Sequence, residues 1–232
     1  MHKSFFITGT DTGVGKTYVA VGLIRALKEM GLNVCPMKPV ETGCRMRNGK
    51  LVPSDTGKLI HSSGTNEILD RINPYRFRHP LAPAVAAEIE GIPIKKKRII
   101  SAFKYLHNKY DITIVEGAGG VMVPVYIKYL FTDLIKDLNT PVLIVTSPGL
   151  GTINHTLLTI DALRVRGVDI VGVVINYSLN KRKGLSERTN PDVLEKLGGV
   201  PVLGVVPYSL NAYAYKSKKV FDQIGKKILS VL

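Results

Sequence analysis

Short, nearly continuous apolar runs recur along this chain, separated by longer stretches whose apolar residues return every three or four positions. Phe5-Phe6-Ile7 is the first run. Residues 16–30 then carry Val19, Ala20, Leu23, Ile24, Leu27 and Met30 on one stripe, the pattern of a helix packed on a sheet. Gly31 supplies a natural stop. A second strand is predicted over Asn33 to Pro39, and further buried strands over Ile112 to Val115, Val142 to Val145, Ile170 to Ile175 and Val202 to Val206. Their Val, Ile and Leu content suits parallel strands covered on both faces. Helical periodicity occupies 95–108, 153–166 and 215–230, while Ser178 to Pro191 is polar and basic and reads as a surface loop. This alternation predicts an α/β fold: a single, doubly wound, mostly parallel sheet with helices on both faces, formed by one domain over residues 1–232.

In such a sheet, ligands collect at the C-terminal ends of the strands. The residues just after each apolar run therefore matter most. Gly9 to Thr17, GTDTGVGKT, follow the first run. The usual phosphate-binding pattern is Gly, four residues, Gly-Lys-Ser/Thr. Here Gly9 and Gly15 are separated by five residues, and Thr10 stands where the pattern wants its first glycine. Gly13 and Gly15 let backbone N–H groups, with that of Val14 between them, close around phosphate oxygens at a helix N-terminus. Lys16 supplies charge to the terminal phosphates, and Thr17 offers a hydroxyl to magnesium. A glycine turn with a surface lysine is the plain alternative. The position between a strand and an amphipathic helix favours the loop, and makes the fold P-loop NTPase-like.

Other strand ends add chemistry that turn formation does not explain. Glu116 follows Ile112 to Val115, where a carboxylate can sit opposite Thr17 and hold the metal; the alternative is a solvated acid, and the small residues of Glu116-Gly117-Ala118-Gly119 favour close ligand approach. Lys38 ends the second strand. It either snorkels to solvent or, placed beside the first strand, aims at the terminal phosphate. Thr42 follows four residues on. Asp55 precedes a helix and on its own reads as an N-cap rather than a ligand. Asn176 carries an amide that suits the N6/N7 edge of adenine. No Asn-Lys-x-Asp of the guanine-reading kind occurs, which favours ATP over GTP. His61 and His155 read as structural or solvated.

Composition changes the picture only a little. The formal net charge is +14, which raises nucleic acid as a partner. The basic clusters at Lys95 to Arg98, Lys181 to Lys183 and Lys216 to Lys219 are scattered and carry no interleaved aromatics. Solvated faces and attraction for anionic substrates account for them, so no nucleic-acid partner is expected. No apolar run approaches the ~18 residues of a membrane span, and the N-terminus is a poor signal peptide, so the expectation is a cytoplasmic protein without membrane contact. Cys35 and Cys44 lack CxxC spacing and read as reduced thiols with no metal role.

GTDTGVGKT, KPVETG, SDTGKL, NPYRFRHPLAP, VEGAGG, GTINHTLLT, GVVINY and GVVPYS, in this order and over most of the chain, resemble the dethiobiotin synthetase family. The five-residue gap is that family's own form of the loop, with Thr10, Asp11 and Thr12 near the reacting centre. The resemblance implies an enzyme that carboxylates 7,8-diaminononanoate with CO2 and closes a cyclic urea at the expense of ATP. It implies Mg2+ held by Thr17, Asp55 and Glu116, and a carbamate surrounded by Thr12, Lys38 and Thr42. ATP would lie along Gly13 to Thr17, Gly117 to Gly119, Asn176 with Tyr177, and Pro207-Tyr208-Ser209. Lys16, Lys38 and Thr12 would be catalytic. The substrate carboxylate would meet the helix opened by Gly149, Leu150 and Asn154, contributed by the neighbouring subunit of a homodimer.

The chain departs from the family pattern at Gly13, where some relatives carry an acid, and at Ala84, where many have His. Residues 124–131 and 178–190 match poorly. A second reading is a partitioning or positioning ATPase. Such proteins add a signature lysine near the start of the loop, and none stands among Thr8, Gly9 and Thr10.

Overall fold

A computed structural model describes residues 3–180, 184–212 and 214–232. The basic cluster Lys181 to Lys183 lies outside the described residues. The chain opens with β1 (Lys3–Gly9), α1 (Lys16–Glu29) and β2 (Val34–Met37). A peripheral stretch follows: β3 (Val40–Glu41), the hairpin of β4 (Arg45–Arg47) and β5 (Lys50–Val52), α2 (Ser54–Ser63), α3 (Leu69–Ile72), β6 (Tyr75–Arg76) and α4 (Pro83–Ile89). Next come α5 (Lys96–Lys109), β7 (Ile112–Gly120), the pair β8 (Pro124–Tyr126) and β9 (Tyr129–Leu130), and α6 (Phe131–Leu138). The remainder is β10 (Val142–Thr146), α7 (Thr152–Arg164), β11 (Ile170–Asn176), α8 (Leu185–Gly198), β12 (Val202–Val206) and α9 (Tyr215–Val231).

Six strands form one parallel sheet in the order β12-β11-β10-β1-β7-β2. Alternation along each strand sends side chains to opposite faces. Phe5 and Ile7 join Ile112, Ile114, Leu143 and Val174 beneath α1 and α9, while Phe6 joins Val115, Ile144, Val173 and Ile175 beneath α5, α6, α7 and α8. The sheet is thus covered on both faces, as its continuous apolar strands require. α1 ends as its sequence indicates. Gly31 takes φ 88°, its N–H meets the Lys28 carbonyl at 2.9 Å, and the Leu32 N–H reaches the Leu27 carbonyl at 3.2 Å.

Three expectations change. The stretch Ser178 to Pro191 is not loop throughout, because α8 begins at Leu185 and carries Pro191 inside it. Glu187 holds the Gly184 N–H at 2.9 Å and starts the helix, and buried Asn190 and Leu194 give it a packed side that a low apolar content hides. The strand predicted to end at Val115 runs on to Gly120, so Glu116 lies within β7 opposite Ile7, and the register slips before Gly9 meets Gly120. The strand carrying Lys38 pairs with β7 rather than with β1. Lys38 therefore approaches the loop across the end of β7.

A candidate nucleotide and carboxylate site

β1 lies at the point where the chain's crossovers diverge, between β10 and β7, and the loop after it faces the C-terminal ends of its neighbours. Gly13 and Gly15 have φ values of 79° and 92°, which admit the left-handed turn from which α1 starts. Gly15 also has no room for a side chain, because a Cβ there would lie 2.1 Å from the Asn176 amide nitrogen. That amide donates to the Val14 carbonyl at 2.9 Å, fixing the loop from beneath. Its oxygen is buried without a partner among the described residues, leaving an acceptor for a ligand.

Parity places the charged side chains. Glu116 follows Ile112 and Ile114 on the α1 face of β7, and Lys38 continues the face of Val34 in β2. The two meet there: Lys38 Nζ donates to Glu116 Oε1 at 2.6 Å and to Asp55 Oδ2 at 3.2 Å. Thr17 Oγ1 donates to the same Glu116 oxygen at 2.7 Å. Lys38 is 4 % exposed and Glu116 1 %. Burial works against the Lys38 ammonium, but Glu116 and Asp55 outweigh it and hold its pKa above the ordinary lysine value. Lys16 lacks such a contact. Its Nζ donates to the Asp11 carbonyl at 2.8 Å, and burial pushes its pKa down to about 8, with Glu116 pulling upward and Lys38 adding to the fall. Asp55 is opposed by burial yet held below the usual carboxylate range by Lys38 and Lys58.

Asp55 is not the N-cap that its sequence context suggests. Pro53 holds that position, and Asp55 sits in the first turn of α2 with its carboxylate directed to Lys38 and Lys58. A residue the sequence reading passed over takes the capping role: Glu41, which accepts the Asp55 and Thr56 N–H groups at 2.9 Å each. The signal was slight, a single acid in the otherwise apolar strand Val40–Glu41.

These groups line one cavity of about 800 Å³. Its wall includes Thr12, Gly13, Gly15, Lys16, Thr17, Lys38, Thr42, Asp55 and Glu116 to Gly119, and continues past Pro80, Leu81, Ala82 and Pro83. Val14 is buried behind the loop, and Tyr177 is fixed through its N–H to the Val206 carbonyl at 3.0 Å. Asn176 meets the loop from beneath, and Tyr177 and Pro207 to Ser209, which follow β11 and β12, are absent from the cavity wall. Gly149, Leu150 and Asn154 are also absent from that wall; Leu150 is 96 % exposed. The opening of α7 is nevertheless tied to the loop. Buried Thr146 Oγ1 lies 3.0 Å from Thr10 Oγ1, 2.7 Å from Thr152 Oγ1 and 3.0 Å from Thr156 Oγ1.

Among the described residues no group of three or more His, Cys, Asp or Glu converges as a metal cluster. Thr17, Asp55 and Glu116 instead offer one hydroxyl and two carboxylates. Glu116 Oε2 is buried and lacks a partner among the described residues. That donor set fits Mg2+, which takes hard oxygen ligands, commonly one or two carboxylates together with substrate phosphates.

Comparison with known proteins agrees with this geometry. A family model described as an AAA domain matches residues 3–212. The ATP-dependent dethiobiotin synthetase of Thermodesulfovibrio yellowstonii is 46% identical over 215 residues, covering 90% of each chain. The chain belongs to the dethiobiotin synthetase family. Another member, from Methanocaldococcus jannaschii, is 42% identical and covers 97% of this chain and 99% of its own. Solved structures widen the circle of this family's fold. The septum site-determining protein MinD from Pyrococcus horikoshii, complexed with Mg-ADP, aligns with a TM-score of 0.66 at 18% identity, covering 100% of this chain and 97% of its own. A ParA family ATPase from Chlorobium tepidum gives 0.57 at 17% identity, covering 100% of this chain and 98% of its own. At such identities the likeness speaks for the P-loop fold alone. No helix among the described residues is long and apolar enough to cross a membrane.

Proposed function

We propose that this chain is a cyclo-ligase that makes dethiobiotin from 7,8-diaminononanoate, CO2 and ATP, working as one domain in a homodimer. One amine of the diamine takes up CO2 as a carbamate. The carbamate oxygen attacks the γ-phosphorus, ADP leaves, and a carbamic-phosphoric anhydride remains. The second amine then attacks the anhydride carbon, closing the urea and expelling phosphate. Its named relatives support this reading. The observation that carries it is Lys38: a buried ammonium between Glu116 and Asp55, facing a cavity that extends well past the nucleotide loop.

Each residue then has a task. The N–H groups from Gly13 to Thr17 cradle phosphate oxygens, and Lys16 neutralises the transferred end. Thr17, Asp55 and Glu116 would hold Mg2+, which supplies charge neutralisation along the phosphoryl group. Lys38 and Thr12 meet the carbamate beside it, with Thr42 on the same wall. Asn176 offers its free carbonyl oxygen to the exocyclic amine of adenine. Gly149, Leu150 and Asn154 stand outside this chain's own cavity, which accords with their serving the neighbouring subunit's substrate.

Purified protein supplied with Mg2+, ATP, bicarbonate and the diamine should release phosphate and yield dethiobiotin. Phosphate release that ignores the diamine would defeat the proposal in favour of an ATPase switch. Full activity from a species that sediments as a monomer would defeat its dimeric part.

A further inference from the structure

Glu41 has no part in the proposed chemistry, yet it is 4 % exposed and lines the same cavity. It sits on β3, held by pairing with β6, where Glu41 lies opposite Arg76. Its side chain reaches the first turn of α2. One carboxylate oxygen accepts the Asp55 N–H at 2.9 Å. The other accepts the Thr56 N–H at 2.9 Å and the Thr56 hydroxyl at 2.6 Å. The N–H groups in a helix's first turn have no intrahelical acceptor, and the residue before the helix normally serves them with a side-chain oxygen. Pro53 has no such oxygen. Glu41 therefore caps α2 from a separate strand, across the β4–β5 hairpin, and its negative charge suits the positive end of the helix.

The consequence falls on Asp55, whose own backbone N–H is one of the two that Glu41 grips. We infer that Glu41 is a positioning residue for the Asp55 carboxylate, fixing the turn that presents it beside Lys38 and Glu116. The inference rests on the reading of Asp55 as a metal-holding residue. Glu41 itself touches neither metal nor substrate in this scheme. It also adds to the negative surroundings of Lys38. Loss of partners of this outer kind commonly weakens metal affinity or activity by about 10–100-fold.

Two measurements test it, using the full chain. The first is the Mg2+ concentration needed for half-maximal turnover in Glu41→Gln, Asp55→Ala and the double variant. Glutamine keeps one acceptor but opposes the second grip with its NH2 group. Asp55→Ala and Glu41→Gln should each raise the requirement, the latter about tenfold. The double variant should match Asp55→Ala alone. A raised requirement in Asp55→Ala with none in Glu41→Gln overturns the positioning role and leaves the metal reading standing. Additive shifts overturn it too, because Glu41 would then act by another route. An unaltered Asp55→Ala overturns the metal reading, and this inference with it. The second measurement is amide hydrogen exchange in the protein without nucleotide or metal. Glu41→Gln should expose the Asp55 and Thr56 amides while Gly57, bonded to the Pro53 carbonyl at 3.1 Å, stays protected. Unchanged protection at Asp55 overturns the inference whatever the activity shows.

Discussion

At the C-terminal ends of the strands lies a cavity of about 800 Å³, and at their N-terminal ends lies another of about 540 Å³, lined by Lys3, Asn139, Asp169, Pro201 and Leu232 among others. Both contain a lysine borne by or next to β1, and both contain carboxylates. They differ in what faces what. In the lower cavity the strands begin with their backbone groups already matched: Lys3 N–H to the Asp111 carbonyl at 2.9 Å, Val142 N–H to that of Asp169 at 2.8 Å, and Val173 N–H to that of Pro201 at 2.8 Å. Among the described residues, the Lys3 ammonium donates only to the Leu229 carbonyl, at 3.4 Å. In the upper cavity, Lys38 and Glu116 are buried against each other, the partly exposed Asp55 carboxylate meets Lys38 from the side, and Lys16 is desolvated close by. Room for a ligand is common to both ends. Charges held out of water, in a medium where they act strongly on a bound anion, belong to one.

The largest effects should follow from removing that charge. Lys16 sits in the loop and would touch the terminal phosphates in every state, so Lys16→Gln should weaken ATP binding and turnover together. In the proposed reaction Lys38 would face the place where the carbamate oxygen meets phosphorus, where charge would gather on the way to the transition state. An interaction realised mainly at that point lowers the rate when lost and leaves ground-state binding alone. Lys38→Gln should therefore lose roughly 10²–10³ in single-turnover phosphate release while calorimetry finds ATP bound nearly as before. Normal turnover in Lys38→Gln would mean that the upper cavity's buried ammonium serves structure rather than chemistry.

A tenfold effect should follow from pH. Burial brings Lys16 to about pKa 8, and the ammonium is the form that attracts phosphate. Below that value the free protein already carries the charge. Above it, ATP binding must draw a proton from solvent, so affinity falls as pH rises. Between pH 7 and 9 the protonated fraction drops from about nine-tenths to one-tenth, which weakens ATP binding roughly tenfold. Lys16→Arg, whose guanidinium keeps its charge throughout, should show a flat profile over that range. A wild-type affinity that does not vary from pH 7 to 9 would show that Lys16 is charged throughout the range.

Much of the upper cavity is legible in the sequence because its parts follow apolar strands. Continuous Val, Ile and Leu mark the strands, and the residues after them are few. Gly13, Gly15, Lys16 and Thr17 announce their own conformation. What the sequence does not carry is strand order. The sequence reading sets Lys38 beside β1, whereas its strand pairs with β7, and the pairing of Val34 with Ile112 is a long-range choice that no local pattern encodes. Nor does periodicity reveal that β7 continues through Glu116 into a glycine run, since Gly117 to Gly120 read as a turn. The hairpin at Asn48-Gly49, by contrast, is marked locally: Asn-Gly is the strongest two-residue hairpin signal, and both residues take positive φ here. Glu41 is hidden for a different reason. Its capping partner lies beyond that hairpin, and a cap supplied from another strand leaves no spacing to recognise.

The smallest effect is expected at the other end of β1. Lys3 begins the strand whose last residue, Gly9, opens the nucleotide loop, so the two cavities share a rigid element. If the strand carried influence from one end to the other, a change at Lys3 would reach the loop. The contacts argue otherwise. Among the described residues the Lys3 ammonium has one long hydrogen bond, while the strand's position is fixed by its backbone pairing with β7 and β10 and by Phe5, Phe6 and Ile7, all fully buried. Lys3→Met keeps the aliphatic stem and removes the charge. It should alter stability by no more than about 0.5 kcal/mol, the usual range for a substitution away from buried networks. Turnover and ATP affinity should stay within about twofold of wild type. Thermal unfolding and the same single-turnover assay would read both. A tenfold loss of turnover in Lys3→Met, with unfolding unchanged, would mean that the lower cavity bears on the chemistry and that the contrast between the two ends has been drawn too sharply.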